Sequence, residues 1–209
     1  MFEGTTEFQD ISREQVVTFD LSGLKAMPNL LNAQIFSVLP LVSADIVNHG
    51  KRCKQTLKAS PDKNEMDMPH YIVNISEAQT LINPKYESSV KLLADIIDSM
   101  GENFAGVVLS VNSLRGILFE SGSATFKDPY VTAVQRIFGL MQYRVFAQTD
   151  DTSVPLLANA LSGSMNQSEL ETLPRLRKGQ LFMNISSVGN IVFNQQLLAP
   201  EIERYGGLQ

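Results

Sequence analysis

The run AGVVLSV, Ala105 to Val111, limits what this chain can fold into more than any other stretch. It has no charge and no regular polar alternation, the pattern of a strand buried on both faces in a parallel sheet. Parallel neighbours require crossover connections, usually helices, and helical patterns flank this run on both sides. Val90, Leu93, Ile96, Ile97 and Met100 recur at helical spacing over Ser88 to Met100, with Gly101 as the stop. After Val111 come a short helix from Asn112, a break at Ser121-Gly122-Ser123 and a helix over Val131 to Leu140.

Other segments extend this alternation. QVVTFDL (Gln15 to Leu21) reads as a short buried strand ending in Asp20, with Ser22-Gly23 as its turn. YIVNISEAQTLI (Tyr71 to Ile82) is a run of β-formers that ends in a carboxylate, Glu77, at the start of a helix. MQYRVFAQ (Met141 to Gln148) is another strand, followed by a helix over Thr152 to Leu161 and one opening at Ser168, where Glu171 completes a capping-box spacing. QLFMNIS and GNIVFNQ, Gln180–Ser186 and Gly189–Gln195, are close enough for a hairpin turning at Ser187-Val188. The pattern predicts one α/β domain over residues 1–209, with a mostly parallel sheet and an antiparallel C-terminal hairpin.

One segment meets the length of a membrane span. Ala26 to Ala44 carries no charge, but it contains Asn29, Asn32, Gln34, Ser37, Pro40 and Ser43, and such polar side chains are costly in lipid. A buried helix over Pro28 to Asn48, kinked at Pro40 and ended by Gly50, is the expectation; no membrane span is predicted. The cations Lys51, Arg52 and Lys54 then fall where a helix C-terminus favours them.

A single cysteine, Cys53, excludes an internal disulfide, and two histidines, His49 and His70, argue against a structural zinc site. Cys53 lies between Arg52 and Lys54, but without a histidine partner it is not read as a nucleophile; His70, before a strand, is read as a capping or core residue. Net charge is −5, so no overall basic field draws the chain to nucleic acid.

Function in open α/β sheets sits at the carboxyl ends of strands, which selects Asp20, Ser76, Glu77, Asn112, Ser113 and Gln148. Glu77 can orient a water for attack on a terminal phosphate, or stabilise the helix beginning at Ala78. Asn112 can sense a γ-phosphate or act as a helix N-cap. Lys51, Arg52, Lys54, Lys58 and Lys63 form either a nucleic-acid contact or a solvated basic loop. Arg175, Arg177 and Lys178 are open to the same two readings, or to contact with a neighbouring subunit. No GxxxxGK[ST] loop occurs, so nothing in this sequence cradles phosphates with backbone N–H groups.

The order of five segments resembles a known family. FEGTTEFQDISREQVVTFDLSGLK, YIVNISEAQTLI, FAGVVLSVNSLRGILF, YRVFAQTDD and LETLPRLRKGQLFMNI together resemble the C-terminal part of the conjugative-transfer (type IV secretion) ATPases. The resemblance implies a RecA-like fold of the P-loop NTPase type and makes the chain the downstream portion of a longer protein that carries the phosphate-binding (Walker A) loop. It implies ATP and Mg²⁺ as cofactors, Glu77 as the water-activating acid of a Walker B-like strand, and Ser76 as a weak, water-mediated magnesium contact. Asn112 stands where the family has a glutamine that senses the γ-phosphate, and Gln79 falls in the same nucleotide-binding stretch. Ser76 replaces the usual aspartate, and Met100-Gly101-Glu102-Asn103 lacks the family's Arg-Lys pair. The implied partners are further copies of the ATPase, as a hexamer, and the conjugation or secretion channel proteins. DNA contact would run through Lys51, Arg52, Lys54 and Lys58. The implied location is cytoplasmic, peripheral to the inner face of the cell membrane. The chain alone is expected to be inactive, and the alternative is a non-catalytic scaffold that keeps a degenerate ATPase fold.

Overall fold

The computed structural model describes residues 14–115, 117–118, 128–160 and 165–205. The start of the first segment compared above and the Ser121-Gly122-Ser123 break lie outside these residues. The chain divides between Val111 and Asn112 into two compact units.

The first unit is built on α1 (Pro28–Ala59), β1 (Tyr71–Ile75), α2 (Glu87–Met100) and β2 (Ala105–Leu109). α1 starts with Pro28 in its first turn, where the missing N–H costs no hydrogen bond. It then runs without interruption past Pro40 and through Gly50. Gly50 is therefore not the stop expected of it. A Cβ there would lie 2.2 Å from Asn103 Oδ1 and 2.7 Å from Asn103 Cα, so the glycine permits a close approach between α1 and the turn after α2. Lys51, Arg52 and Lys54 consequently sit inside the helix, and Lys58 occupies its last turn.

By length and composition α1 could cross a membrane. In this fold Leu31, Ile35, Leu39, Val42, Ile46 and Cys53 form a stripe buried within the unit. Asn32, beside this stripe, has a partner: Ser89 Oγ on α2 donates to Asn32 Oδ1 at 2.8 Å. Buried Asp45 meets the Tyr71 hydroxyl, and burial together with that carboxylate pushes the phenol's pKa up.

β1 and β2 pair in parallel, Tyr71 opposite Ala105 through Ile75 opposite Leu109. α2 packs its stripe of Val90, Leu93, Ala94, Ile97 and Met100 within the unit, against α1 and β2. The other sheet face is open: Ile72 is 63% exposed and Val108 53%. The expectation that the Ala105 run is covered on both faces is thus corrected, and the strand stops at Leu109. Gln15 to Leu21, expected as a strand, is irregular, with Val16 exposed. No described strand offers it hydrogen bonds.

The second unit contains α3 (Pro129–Leu140), β3 (Tyr143–Phe146), α4 (Val154–Ala160), α5 (Gln167–Leu170), β4 (Gln180–Ile185), β5 (Gly189–Asn194) and α6 (Ala199–Tyr205). Its sheet has the order β3-β4-β5, all antiparallel. Residues 112–113 are irregular, and one helical turn follows in which Leu118 N donates to Leu114 O at 2.8 Å; the rest of the helix expected from Asn112 lies outside the described residues. α3 is capped by Asp128, whose carboxylate accepts from Tyr130 N at 2.9 Å. Arg144 closes the other end, its Nη2 donating to the Phe138 carbonyl at 2.7 Å and its Nη1 donating to Asn184. The capping box at α5 is Asn166 with Glu169, not Ser168 with Glu171; Asn166 Oδ1 accepts from Glu169 N and Glu169 Oε2 from Asn166 N. The core gathers Ile137, Phe146, Leu157, Leu170, Leu173 and Phe182. α/β architecture with an antiparallel C-terminal hairpin is what the alternation of segments led us to expect.

Candidate functional site

Glu77 follows the last residue of β1 by two positions and is the N-cap of a three-residue 3₁₀ turn, Ala78–Thr80, rather than of an α-helix. Its side chain makes no capping hydrogen bond. The carboxylate is instead ion-paired with Lys25 Nζ, both side chains being about half exposed. The sequence reading missed Lys25. Its placement follows from a short turn in which Asp20 Oδ1 accepts from Ser22 N at 2.9 Å, with a 3₁₀ turn over Ser22–Leu24 directly after. That hydrogen-bonded turn, with Lys25 nearby, holds the Asp20 carboxyl below its ordinary range.

Glu77 also adopts a left-handed backbone, φ 51° and ψ 45°. A non-glycine residue there costs about 1–2 kcal/mol, so the surrounding structure must hold it. Ala78, fully buried, does much of this: its N–H donates to the Ser110 carbonyl at 2.8 Å, and Ser110 N donates to Ile75 O at 3.0 Å. The carboxyl ends of both parallel strands are tied together at the point where Glu77 leaves the sheet. Ser76 is exposed beside it, and Gln79 lies half-buried in the 3₁₀ turn.

Asn112 opens the second unit. Nearby, Ser113 Oγ accepts from Arg115 N at 3.4 Å, and Arg115 Nη2 meets Asp150 Oδ1 at 3.1 Å. Asp150 also accepts from the hydroxyls of Thr152 and Ser153, and these hydrogen bonds, with Arg115 behind them, lower its pKa. Gln148 Nε2 is used structurally, donating to Pro174 O at 3.1 Å.

Two other assignments change. Cys53 does have a histidine partner, one turn earlier on α1: its Sγ lies 3.4 Å from His49 Nε2. That nitrogen is also 2.9 Å from the Pro69 carbonyl, so it carries a proton donated there and is not a base for the thiol. His70 is exposed rather than in the core, edge-on to Phe104 with ring centroids 6.4 Å apart.

A magnesium site does not assemble from the described residues. One carboxylate, already engaged by Lys25, and one serine hydroxyl fall short of the charged oxygen ligands that Mg²⁺ favours. No group of three or more His, Cys, Asp or Glu side chains suited to a metal occurs among the described residues.

No protein-family model matches the chain. The uncharacterized protein pXO2-09 of Bacillus anthracis is 27% identical over 212 aligned positions, which take in 100% of this chain but 32% of the relative. Among solved structures, VirB4 of Thermoanaerobacter pseudethanolicus superposes with a TM-score of 0.59 at 16% identity, over 88% of this chain and 42% of VirB4. The genome packaging NTPase B204 of Sulfolobus turreted icosahedral virus 2, in complex with AMPPCP, gives a TM-score of 0.45 at 11% identity, over 75% of this chain and 72% of B204. The chain therefore spans about a third of its curated relative and less than half of VirB4. Over most of its length the chain shares the fold of part of VirB4.

Proposed function

We propose that this chain is the C-terminal part of a conjugation or type IV secretion motor ATPase, supplying the Walker B-like strand and the sensor to a nucleotide site completed elsewhere. The carrying observation is the end of the parallel pair, where the tied carboxyl ends of β1 and β2 present Glu77 in a strained left-handed turn. Backbone strain of this kind concentrates at functional sites. A two-stranded sheet is marginal on its own, and the open face at Ile72 and Val108 suits further elements laid against it.

In this reading Glu77 would orient the attacking water and take its proton, Asn112 would sense the γ-phosphate, Gln79 would lie along the nucleotide, and Ser76 would make at most a weak, water-mediated contact to a magnesium ion held by residues outside this chain. ATP and Mg²⁺ would be held chiefly by the phosphate-binding loop, outside this sequence. Lys25 must first leave the Glu77 carboxylate, so it gates the base. The assembled motor would be a hexamer at the cytoplasmic face of the membrane, working with channel proteins and moving DNA or protein.

A second reading is favoured by the Lys25–Glu77 pair itself, which satisfies the acid within the fold. Together with Ser76 in the aspartate position, it supports a scaffold with no hydrolysis. Turnover of the longest natural chain containing these residues, with magnesium, separates the two. A working motor should lose about 10²-fold or more in kcat on Glu77→Gln. Absence of turnover in both proteins would leave the scaffold as the function.

A further inference from the structure

The sheet β3–β4–β5 has two unlike faces. Residues directly opposite one another on neighbouring strands share a face. Arg144, Asn184 and Asn190 form one such row, and Phe146, Phe182 and Val192 the next. This is the covered face. Asn184 and Phe182 are each 2% exposed, and the polar row is tied by Arg144 Nη1 donating to Asn184 Oδ1 and by Asn184 Nδ2 donating to Asn190 Oδ1 at 2.6 Å. On the other face stand Tyr143 with Ile185, Val145 with Met183 and Ile191, and Leu181 with Phe193. These are aliphatic, aromatic or thioether side chains and none is buried; Tyr143, Val145 and Ile191 are 59%, 51% and 52% exposed. A sheet with one wet face ordinarily turns its apolar residues inward and its polar ones to water, but here the face left open is the apolar one. We infer that this face receives an amphipathic helix with acidic residues at one end, supplied by a part of the same longer polypeptide outside these 209 residues.

The size of the face selects both the helix and its source. Strands about 4.8 Å apart, rising about 3.4 Å per residue, make it roughly 10 Å between the outer strands and about 20 Å along the six residues of β4 and of β5. One helix, about 10 Å across, covers that width, and about 13 residues at 1.5 Å each cover the length. A separate protein needs about 800 Å² on each side for stable association, and a face of roughly 200–300 Å² falls short of that. A segment of the same polypeptide loses little translational freedom on docking, so a small face holds it. Both relatives carry ample further polypeptide, since the matched region is 32% of the Bacillus anthracis protein and 42% of VirB4. The inference rests on the reading of this chain as part of a longer protein, and not on whether that protein hydrolyses ATP.

Charge around the face assigns the acidic end. Residues 141–149 and 172–200, which carry the three strands, contain Arg144, Arg175, Arg177 and Lys178 but no Asp or Glu, in a chain whose net charge is −5. Arg175, Arg177 and Lys178 are exposed just before β4 and have no ion pair among the described residues. They precede the end of the sheet where Leu181 pairs with Phe193. The acids that flank these segments are already engaged: Asp150 by Arg115, Thr152 and Ser153, Glu171 by Gln167 Nε2 at 2.8 Å, and Glu201 by Leu198 N at 2.8 Å. A second copy of this sheet would bring more cations and no acid to meet them. A nucleic-acid backbone would find cations at one end and apolar side chains over the rest.

The test places p-benzoylphenylalanine at position 143, in place of Tyr143, in the longest natural chain containing these residues, with vesicles containing anionic lipid present. Photo-cross-links mapped by mass spectrometry should stay within one polypeptide. They should fall on a helix outside the 209 residues that has apolar residues three and four apart and Asp or Glu at one end. Cross-links to a second copy, to a separate protein or to lipid would overturn the proposal, as would none at all or a natural chain no longer than this one. Arg175→Glu with Arg177→Glu and Lys178→Glu should lower the yield about threefold; an unchanged yield would overturn the acidic end. Val145→Asp should lower the melting temperature of the longer protein by about 5 °C or more, where it buries a charge. In the 209-residue chain, where the position is exposed, the shift should stay within about 2 °C. Equal shifts would overturn the proposal, and circular dichroism verifies that the variants fold. ATP turnover is followed on the same protein. A working motor without the cross-link rejects this inference alone, whereas the cross-link in a protein that never turns over ATP keeps it and rejects the motor.

Discussion

The parallel pair β1–β2 and the antiparallel sheet β3–β4–β5 differ in how much of their pairing is settled by nearby sequence. β4 and β5 are joined by three residues, with Val188 N returning to Ile185 O at 3.1 Å and left-handed Ser187 making the reversal. Their register follows from the turn. β1 and β2 have all of α2 between them, and their register is fixed at the two ends, by Tyr71 N on Phe104 O and by Ser110 N on Ile75 O. Each of those ends carries a left-handed residue that is not glycine, Phe104 at the start and Glu77 at the finish. In the hairpin the left-handed residue serves the turn; in the parallel pair such residues stand at the two ends of the ladder. Closing non-local strands leaves backbone strain at their margins, and Glu77 stands at one of them.

The comparison can be broken most forcefully in the antiparallel sheet. Phe182, 2% exposed and packed on Phe146 with centroids 6.4 Å apart, should cost about 3–5 kcal/mol when cut to alanine. Hydrogen exchange should then rise through β3, β4 and β5. The corresponding lesion in the first unit is Gly50→Ala. The new methyl meets Asn103 backbone, which cannot swing away, and about 1–3 kcal/mol is expected from urea melts. Exchange should rise in α1 and at the start of β2.

A smaller effect sharpens the account of strain. Glu77→Ala and Glu77→Gly both remove the exposed pair with Lys25, itself contributing about 0–1 kcal/mol. Only glycine relieves the left-handed backbone, so it should be more stable than the alanine variant by about 1 kcal/mol. Equal stabilities would mean that the Glu77 turn stores no strain. The smallest effect belongs to Asp150. Its pKa is lower folded than unfolded, so the unfolded state binds more protons between the two values and stability rises with pH there. The contribution is fully present above about pH 4, the unfolded value, and is lost as pH falls through the folded one. NMR titration of Thr152 and Ser153 should follow that loss, and Asp150→Asn should abolish it.

Much of the fold was legible because it is encoded in short range. The stripe of α2, the helix ending at Leu140 and the hairpin at Ser187-Val188 each follow from residues within a few positions of one another. What escaped were long-range meetings. Gly50 looks like a stop signal until Asn103 is found against it, 53 positions later by their numbers. Gln15 to Leu21 has β-forming residues but no described strand to pair with. At the candidate site, Glu77 was legible from its place after a strand, whereas Lys25 is brought to it across 52 positions with no local signal. His49 could have been found: it precedes Cys53 by four residues, which on a helix means contact.

The uninterrupted course of α1 sets a phase relation along some 48 Å of helix. Its buried stripe near Leu31, its glycine window at Gly50 and its lysines Lys54 and Lys58 all depend on one angular origin. Adding one residue between Ile46 and Gly50 would turn everything beyond it by about 100°, bringing a side chain to Asn103 and swinging Lys54 and Lys58 round the helix axis. Adding seven would lengthen the helix by nearly two whole turns and restore the alignment to within about 20°. Homologous chains that keep both ends of this helix should therefore differ in its length by steps close to whole turns.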